Sequence, residues 1–468
     1  MPPAAPVAAT GGRLSVSFYA TLFWAYVASA LILFTFLVPP FQKSDEPAHY
    51  FRSVSLTNLD FVCSKDARGE GYFEMKRKYA ELADALHVWE VAFMYNAKFK
   101  TEWLRADFSD PSFDQTVPVY DVCNLSPAGY LPNALGILAG KPFENPLAGF
   151  YLGRVFGALF FCCAIIAALR IVPERYKLLI YLYAAIPMVL HQAGAISYDV
   201  VSLSLSPLIF AFLARFMTRE EPVERREFLV FTGLLLWSVN VRLVAYVPLL
   251  LLAFLIPRSR LSSSLQGYLR LTASYLATAI VTTLALTLLY LNGSDFLAPD
   301  AVGISASSQL KFVLEHPWHF LAASYRTLQI NGDLIMREGF GIFGWIDYAF
   351  NFVPYYAGVL VGGLATYYMA ERDVLVLSRT QLVVLWSALA GTVAALFLSL
   401  YAVWSPVGAG VVGGLQGRYF IGLLPFGVFA VSQTALYVGR RRFMEMLALV
   451  LGLFVLASIF KAIEGRYY

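Results

Sequence analysis

The chain has 468 residues, of which 59% are hydrophobic, 16% aromatic and only 14% charged, with a mean hydropathy of +0.63. Soluble globular proteins carry about 25% charged residues, so this composition excludes a soluble enzyme, a nucleic-acid-binding protein and a disordered chain. The formal net charge of +4 is too small to indicate an anionic macromolecular partner.

Apolar runs long enough to cross a bilayer recur along the chain and predict an all-α polytopic membrane protein that contacts membrane lipids. The first run, at about 18–38, is too long for a signal-peptide core and is followed by no small-residue cleavage site, so we interpret it as an uncleaved span. The Ala/Pro-rich residues 1–17 before it are predicted to form a disordered cytoplasmic N-terminus. The later runs are at about 148–170, 177–195, 199–216, 228–257, 266–291, 353–370, 380–403, 419–438 and 443–461.

The run at 228–257 is either one tilted span or two short spans broken at residues 240–242. The positive-inside rule decides between these alternatives, because the basic linkers fall on one side of the membrane only if this run crosses twice. The linkers contain Arg170, Arg175, Lys177, Arg215, Arg219, Arg225, Arg226, Arg258, Arg260, Arg372, Arg379, Arg440, Arg441 and Arg442. The result is about eleven spans with the N-terminus inside and the C-terminus outside, where Lys461 and Arg466 are small exceptions.

This topology predicts one transmembrane domain over residues 18–468, with a large helical extracytoplasmic loop at 39–147 and a second at 292–352. It also places the turn near 192–198, the break at 240–242 and the loop at 404–417 on the outer side. Cys63 and Cys123 lie in the first outer loop, so they can form a disulfide; the alternative is two unrelated thiols.

The segment PPFQKSDEPAHY, residues 39–50, follows the first span directly. Its two prolines end the membrane helix, Ser44 is predicted to be the N-cap of a new helix along the membrane surface, and Asp45 and Glu46 fall in its first turn. Asp45 and His49 then share one helix face. The acidic pair can simply stabilise the helix N-terminus; alternatively, it supplies a base that meets a lipid-borne substrate.

Polar residues at other span ends form a second set of candidates. Arg242 interrupts an apolar run, and a charge there is a functional hypothesis by default. Arg418, between Gln416 and Tyr419, can clamp a phosphate or anchor the chain at the membrane interface. Asp199 is either a helix cap or a site residue.

The second outer loop contains REGFGIFGW, which includes Arg337 and Trp345 and has glycines that suit a tight loop near a ligand. No metal-ligand spacing, Walker loop or dinucleotide fingerprint is present in the sequence, so no metal or cofactor is predicted, although a divalent metal stays possible.

Together these motifs resemble those of a family of bacterial polytopic membrane proteins of unknown function that is placed near the GT-C glycosyltransferases. The resemblance covers roughly residues 30–435 and is carried by PPFQKSDEPAH, the Tyr198-Asp199 step, FGIFGW and WSPVG…QGRY. The chain departs from the family pattern at Gly422, where a proline is common, and at residues 126–130.

The wider GT-C group includes protein mannosyltransferases and the lipid A aminoarabinose transferase. The resemblance implies a GT-C-like fold in the bacterial inner membrane, with an active site facing the periplasm. A sugar on a polyprenyl phosphate would be the donor, and a cell-envelope glycan or lipid the acceptor. A donor with a single phosphate has less need of a divalent metal than a pyrophosphate donor.

Residue roles follow from this resemblance. It implies Asp45 as the general base, with Glu46 as the second choice and His49 beside them. The remaining candidates are expected to bind the donor phosphate (Arg242, Arg418 and Arg337) or the rest of the substrate (Gln416, Tyr419, Asp199 and Trp345).

The competing interpretation is a transporter or a flippase of a lipid-linked or small polar substrate. A transporter is expected to carry polar residues near the membrane midplane and on both faces. Here the unusual polar clusters map to the outer face, which favours the enzyme.

Overall fold

The computed structural model describes residues 16–94, 96–120, 122–123, 125–242, 244–262, 264–291, 303–349, 356, 377–433 and 455–468. Most of the predicted spans at 353–370 and 443–461, and nearly all of the predicted disordered N-terminus, lie outside these residues.

The described residues are mostly helical, as the hydropathy pattern predicts. The α-helices are α1 (Val16–Ile32), α2 (Glu46–Thr57), α3 (Arg77–Ala80), α4 (Leu82–Ala85), α5 (Val88–Phe93), α6 (Leu131–Gly140), α7 (Pro146–Ile171), α8 (Lys177–Ala184), α9 (Pro187–Ala193), α10 (Asp199–Thr218), α11 (Arg225–Val241), α12 (Arg258–Leu261), α13 (Leu265–Leu291), α14 (Ala306–Glu315), α15 (Pro317–Phe340), α16 (Arg379–Trp404), α17 (Arg418–Ile421) and α18 (Leu424–Ser432). A π-helical turn, Leu33–Leu37, extends α1, and residues 455–467 are also helical. The 3₁₀-helices are Thr101–Arg105, Pro111–Asp114, Pro127–Gly129, Lys141–Phe143, Glu174–Tyr176 and Val247–Leu255.

Four helical segments among the described residues are long and apolar enough to cross a membrane: Ala20–Leu37, Pro146–Ile171, Asp199–Thr218 and Arg379–Trp404. The chain is therefore a membrane protein, as predicted, while the eleven-span count stays a prediction.

Two predicted runs are broken. The run at 177–195, predicted as one span, divides into α8 and α9, because Pro187 lacks an N–H donor and keeps Ile186 extended at φ −62° and ψ 125°. The run at 228–257 breaks where the charge pattern requires: α11 ends at Val241, Arg242 leaves the helical conformation, and a 3₁₀-helix follows from Val247.

The first outer loop is not purely helical, which corrects the prediction. A three-stranded antiparallel sheet combines β1 (Ser64–Lys65), β2 (Gly71–Lys76) and β3 (Thr116–Val119), with β2 in the centre. Phe73 and Met75 alternate with exposed residues along β2, so their buried face packs inward. Cys63 and Cys123 form a disulfide beside this sheet with Cα atoms 5.6 Å apart, which confirms the predicted pair.

The second outer loop, at 292–352, also contains regular structure where it is described. Helices α14 and α15 are followed by a small hairpin of β4 (Ile342–Phe343) and β5 (Tyr348–Ala349). Arg466, one of the two exceptions to the charge rule, pairs with an acidic residue of this hairpin: its Nε lies 2.5 Å from Asp347 Oδ2, and its side chain is 5% exposed.

A buried ion pair between Glu46 and Arg154 joins the first outer loop to α7. Arg154 Nε and Nη2 donate to the two oxygens of the Glu46 carboxylate at 2.9 and 2.6 Å. Its remaining N–H groups donate to backbone carbonyls at the end of the first span, at Thr35, Val38 and Pro39. Both side chains are at most 1% exposed, so this pair fixes the chain where it leaves the membrane helix.

We expect Arg154→Met to lower the free energy of unfolding by about 3–5 kcal/mol, because it leaves the Glu46 carboxylate buried without its counter-ion. Denaturant titration of the purified protein in detergent measures this loss. The double variant Glu46→Gln/Arg154→Met should recover part of it, since the buried charge is then gone.

The control is Lys76→Met, which removes an exposed pair with Asp114 at 2.9 Å, leaves Asp114 its second partner, Lys78, and should have a much smaller effect. Equal stability of Arg154→Met and Lys76→Met would contradict the structural role of the buried pair.

Candidate functional site

Five segments that the charge pattern places outside the membrane meet at one end of the helices. They carry Asp45, Asp199, Arg242, Gly344 and Arg418. Ion pairs join the four charged side chains, and Ser44, next to Asp45, donates to the Gly344 carbonyl. These segments are far apart in sequence, and the fold brings them together; that they lie on the outer side of the membrane stays a prediction.

The loop that carries Asp45 is held against the β4–β5 hairpin. Ser44 donates to the Gly344 carbonyl from its backbone N–H at 3.0 Å and from its Oγ at 2.7 Å. Trp345 Nε1 donates to the Phe41 carbonyl at 3.1 Å. The predicted N-cap, Ser44, is therefore wrong, because its hydroxyl is committed to the hairpin and Asp45 takes the cap position.

Left-handed backbone conformations cluster around this site. Phe41 and Asp45 have φ of 61° and 63°, and Ile346 in the hairpin has φ of 69°. Asp tolerates this conformation, whereas Phe and the β-branched Ile do so only at a free-energy cost. Strained backbone conformations persist only where many surrounding contacts hold them in place, and they are common at functional sites.

Asp45 is the accessible carboxylate of the cluster. Its side chain is 46% exposed, and its Oδ2 accepts a hydrogen bond from Arg418 Nη2 at 2.8 Å. Glu46, its neighbour in sequence, is 1% exposed and is occupied by Arg154 and by the Ile196 N–H. Although both carboxylates are sequence candidates for the base, only Asp45 can meet an incoming molecule in this structure.

Asp199 lies beneath Asp45 and links the two site arginines. Its carboxylate is 1% exposed, pairs directly with Arg242, and lies 3.3 Å from Arg418 Nε. Arg418 thus lies between Asp45 and Asp199, and its own side chain is 6% exposed. We call Asp45, Asp199, Arg242 and Arg418 the charged cluster. Its two carboxylates and two guanidinium groups give it a formal net charge of zero.

Tyrosine rings hold Arg242 in place. Its guanidinium carbon lies 4.5 Å from the centroid of the Tyr198 ring and 4.3 Å from that of Tyr419. Tyr246, 5.8 Å away, donates its hydroxyl proton to the Tyr419 carbonyl at 3.1 Å. The rings leave the guanidinium few alternative positions, which favours a fixed geometry for anion recognition.

His49 completes the cluster on the face of α2 that it was predicted to share with Asp45. Its Nδ1 lies 2.7 Å from the Tyr130 hydroxyl. Burial lowers the pKa of His49 to about 4; Asp45 opposes this shift, and Arg418 adds to it. The imidazole is therefore neutral at neutral pH and does not add a charge to the site.

The other sequence candidates lie at the margin. Gln416 lines a small cavity of about 10 Å³ whose walls combine apolar side chains with Arg418, His191 and Glu338. Trp345 packs against Trp89 and Phe93 on the outer surface. Arg337 is 40% exposed and pairs with Asp333 at 3.6 Å; no described contact joins it to the site aspartates.

Sequence reasoning missed several residues that shape the site. Arg154 interrupts an apolar run as Arg242 does, so the same signal could have identified it. Glu338 accepts a hydrogen bond from the Gly417 N–H at 2.9 Å and holds the segment that carries Arg418. Tyr130 offers no such signal, because its role depends on the packing of α6 against α2.

We expect His49 to make the protein acid-sensitive. Its folded-state pKa of about 4 lies below the unfolded value of about 6.5, so its contribution is complete above pH 6.5 and is lost as the pH falls towards 4. Thermal unfolding in detergent across this range should show a shallower pH dependence for His49→Gln than for the wild type. The exposed His87 is the control, since His87→Gln should follow the wild type. Parallel curves for all three proteins would refute the prediction.

The comparisons with known proteins bear on the identity of this chain. A family model described as a predicted membrane protein family, DUF2142, matches residues 29–427 and thus spans every residue of the charged cluster. Neither the search of curated proteins nor the search of solved structures found a match. Because the matched range covers most of the sequence, the chain belongs to the DUF2142 family of membrane proteins.

Proposed function

We propose that this protein is an inverting, GT-C-like glycosyltransferase that moves a sugar from a polyprenyl phosphate to a cell-envelope glycan or lipid at the outer face of the bacterial inner membrane. The observation that carries the proposal is the position of Asp45: a half-exposed carboxylate in contact with a buried arginine, at the point where the chain leaves a membrane helix.

Asp45 acts as the general base. It takes the proton from an acceptor hydroxyl while that oxygen forms a bond to the anomeric carbon of the donor sugar. The bond between the anomeric carbon and the phosphate oxygen breaks, and its electron pair leaves with the polyprenyl phosphate. Attack opposite the leaving group inverts the configuration at the anomeric carbon.

Arg418 and Arg242 stabilise the charge that develops on the phosphate. Arg418 is hydrogen-bonded to Asp45, so a phosphate that binds Arg418 competes with Asp45 for the same guanidinium. Donor binding therefore releases the Asp45 carboxylate to accept a proton. Asp199 keeps both arginines in place, because it contacts each of them from the buried side.

We expect Asp45→Asn to lower the rate of sugar transfer about 10²–10⁴-fold, the usual contribution of a general base. The protein should fold normally, because Asp45 is half exposed and Arg418 is its only ion-pair partner among the described residues. The measurement is transfer from a radiolabelled polyprenyl-phosphate sugar by purified protein.

Glu144→Gln is the matched control for this variant, since it removes an exposed carboxylate from the same outer loop. It should transfer at the wild-type rate. Near-normal turnover by Asp45→Asn would exclude Asp45 as the base.

We expect Arg418→Lys to lower kcat about 10–100-fold and to raise the apparent KM for the donor, because an ammonium group cannot reproduce the forked geometry of a guanidinium. The KM for the acceptor should change little. Steady-state kinetics with each substrate varied in turn separates these effects, and an unchanged donor KM together with an unchanged kcat would contradict the phosphate role.

A further inference from the structure

A second cavity, of about 400 Å³, lies next to the charged cluster. It is bounded by α15, α16 and the segment 417–424. The described residues that line it are glycines or have apolar side chains. We call it the apolar groove. Its volume falls within the range of small-molecule sites, but its walls offer almost no hydrogen-bonding groups, so they suit a hydrocarbon.

The inner end of the apolar groove lies beside the charged cluster. Gly417 lines the groove, and the next residue, Arg418, donates to Asp45. On the facing helix, Gly339 lines the groove and follows Glu338, which accepts a hydrogen bond from the Gly417 N–H. A Cβ at position 417 would overlap the backbone of Ile335 and Gly339, so α15 packs directly against Gly417 at this end of the groove. Because the groove ends one residue from Arg418, a lipid with its anionic head at Arg418 would have an apolar surface beside it for its chain.

The groove is open on the side of α15. Leu328, which lines it, is 51% exposed. Other large apolar side chains on the same helix are also exposed, with Trp318 at 79% and Tyr325 at 63%, whereas Asp333 and Arg337 supply charge further along. Exposed apolar side chains on an amphipathic helix are typical of the membrane interface, where lipid chains would reach the groove.

We propose that the apolar groove holds the isoprenoid chain of a polyprenyl phosphate, with the phosphate at Arg418 and Arg242. This inference rests on the proposed function. It assigns a binding site to the isoprenoid chain, the part of the donor that the reacting groups do not touch. A single-chain lipid matches the apolar groove, since it would bring one hydrocarbon chain to the cavity beside Arg418 in the described part of the protein, whereas a glycerophospholipid would bring a second chain.

Gly332 allows a direct test. It lines the groove, and a Cβ built on it meets no described atom within 4 Å, so Gly332→Phe would project a ring into free space. Gly233 on α11 also has no described atom within 4 Å of such a Cβ and lies outside the groove, which makes Gly233→Phe a matched control.

We expect purified Gly332→Phe to bind tritiated decaprenyl phosphate at least about tenfold more weakly than the wild type, since the loss of contact with even two methylene groups has this effect. Binding of inorganic phosphate should be unchanged, and Gly233→Phe should match the wild type with both probes. Equal affinity of Gly332→Phe and Gly233→Phe for decaprenyl phosphate would overturn the proposal.

A second measurement keeps the test independent of how well Gly332→Phe folds. Wild-type protein is photolysed with decaprenyl phosphate that carries a diazirine on its isoprenoid chain, and the labelled peptides are identified by mass spectrometry. Label within residues 328–340 or 417–424 supports the proposal. Label confined to other segments overturns it. The proposal also falls if an equivalent diazirine-bearing phosphatidic acid labels the groove and the polyprenyl probe does not.

Failure of the proposed function would look different. If the lipid labels the groove but no polyprenyl-phosphate sugar supports transfer, the binding site stands and the glycosyltransferase assignment falls. If Asp45-dependent transfer occurs while the label lies elsewhere, the enzyme stands and the groove assignment falls.

Discussion

The bidentate pair between Glu46 and Arg154 is the interaction on which the rest of the site depends. Arg154 also binds three carbonyls at the end of the first span, and Glu46 also accepts the Ile196 N–H just before α10. One buried ion pair therefore sets the position of two helix starts, those of α2 and α10. Because Asp45 precedes α2 and Asp199 begins α10, the pair also places the two site aspartates beside each other.

This arrangement gives two adjacent carboxylates different roles: Glu46 holds the fold together, and Asp45 is the candidate for the chemistry. Glu46 is removed from water and saturated with donors, which gives it a fixed position but no access to another molecule. Asp45 has a left-handed backbone conformation that turns its side chain towards Arg418 and leaves it half exposed. The tyrosines around Arg242 and the hairpin at Gly344 then limit how far the cluster can rearrange. A rigid pair of arginines beside an accessible carboxylate is compatible with the proposed transfer from a lipid phosphate.

The sequence was informative where chemistry is concentrated in a short motif or where charge interrupts hydrophobicity. The break before Arg242 and the membrane class follow from such signals, and the structure bears them out. The disulfide of Cys63 and Cys123 was one of two alternatives that the sequence left open, and the structure shows that it forms. The small sheet of the first outer loop was missed, because its strand pairing depends on tertiary partners. The break at Pro187 was missed although the proline itself signals it, because the hydrophobic pattern alone was weighed there. The distinct roles of Asp45 and Glu46 depend on Arg154, more than one hundred residues away, and such pairing cannot be inferred from local composition.

The central claim is that a sugar leaves its lipid phosphate with inversion. The most direct measurement incubates purified wild-type protein with a polyprenyl-phosphate sugar of known anomeric configuration and a cell-envelope acceptor, and determines the configuration of the product by NMR. We predict release of free polyprenyl phosphate that depends on the acceptor and a product of opposite configuration. Retained configuration would contradict the single displacement assisted by Asp45. Movement of intact labelled donor across proteoliposomes without any transfer would contradict the enzyme itself.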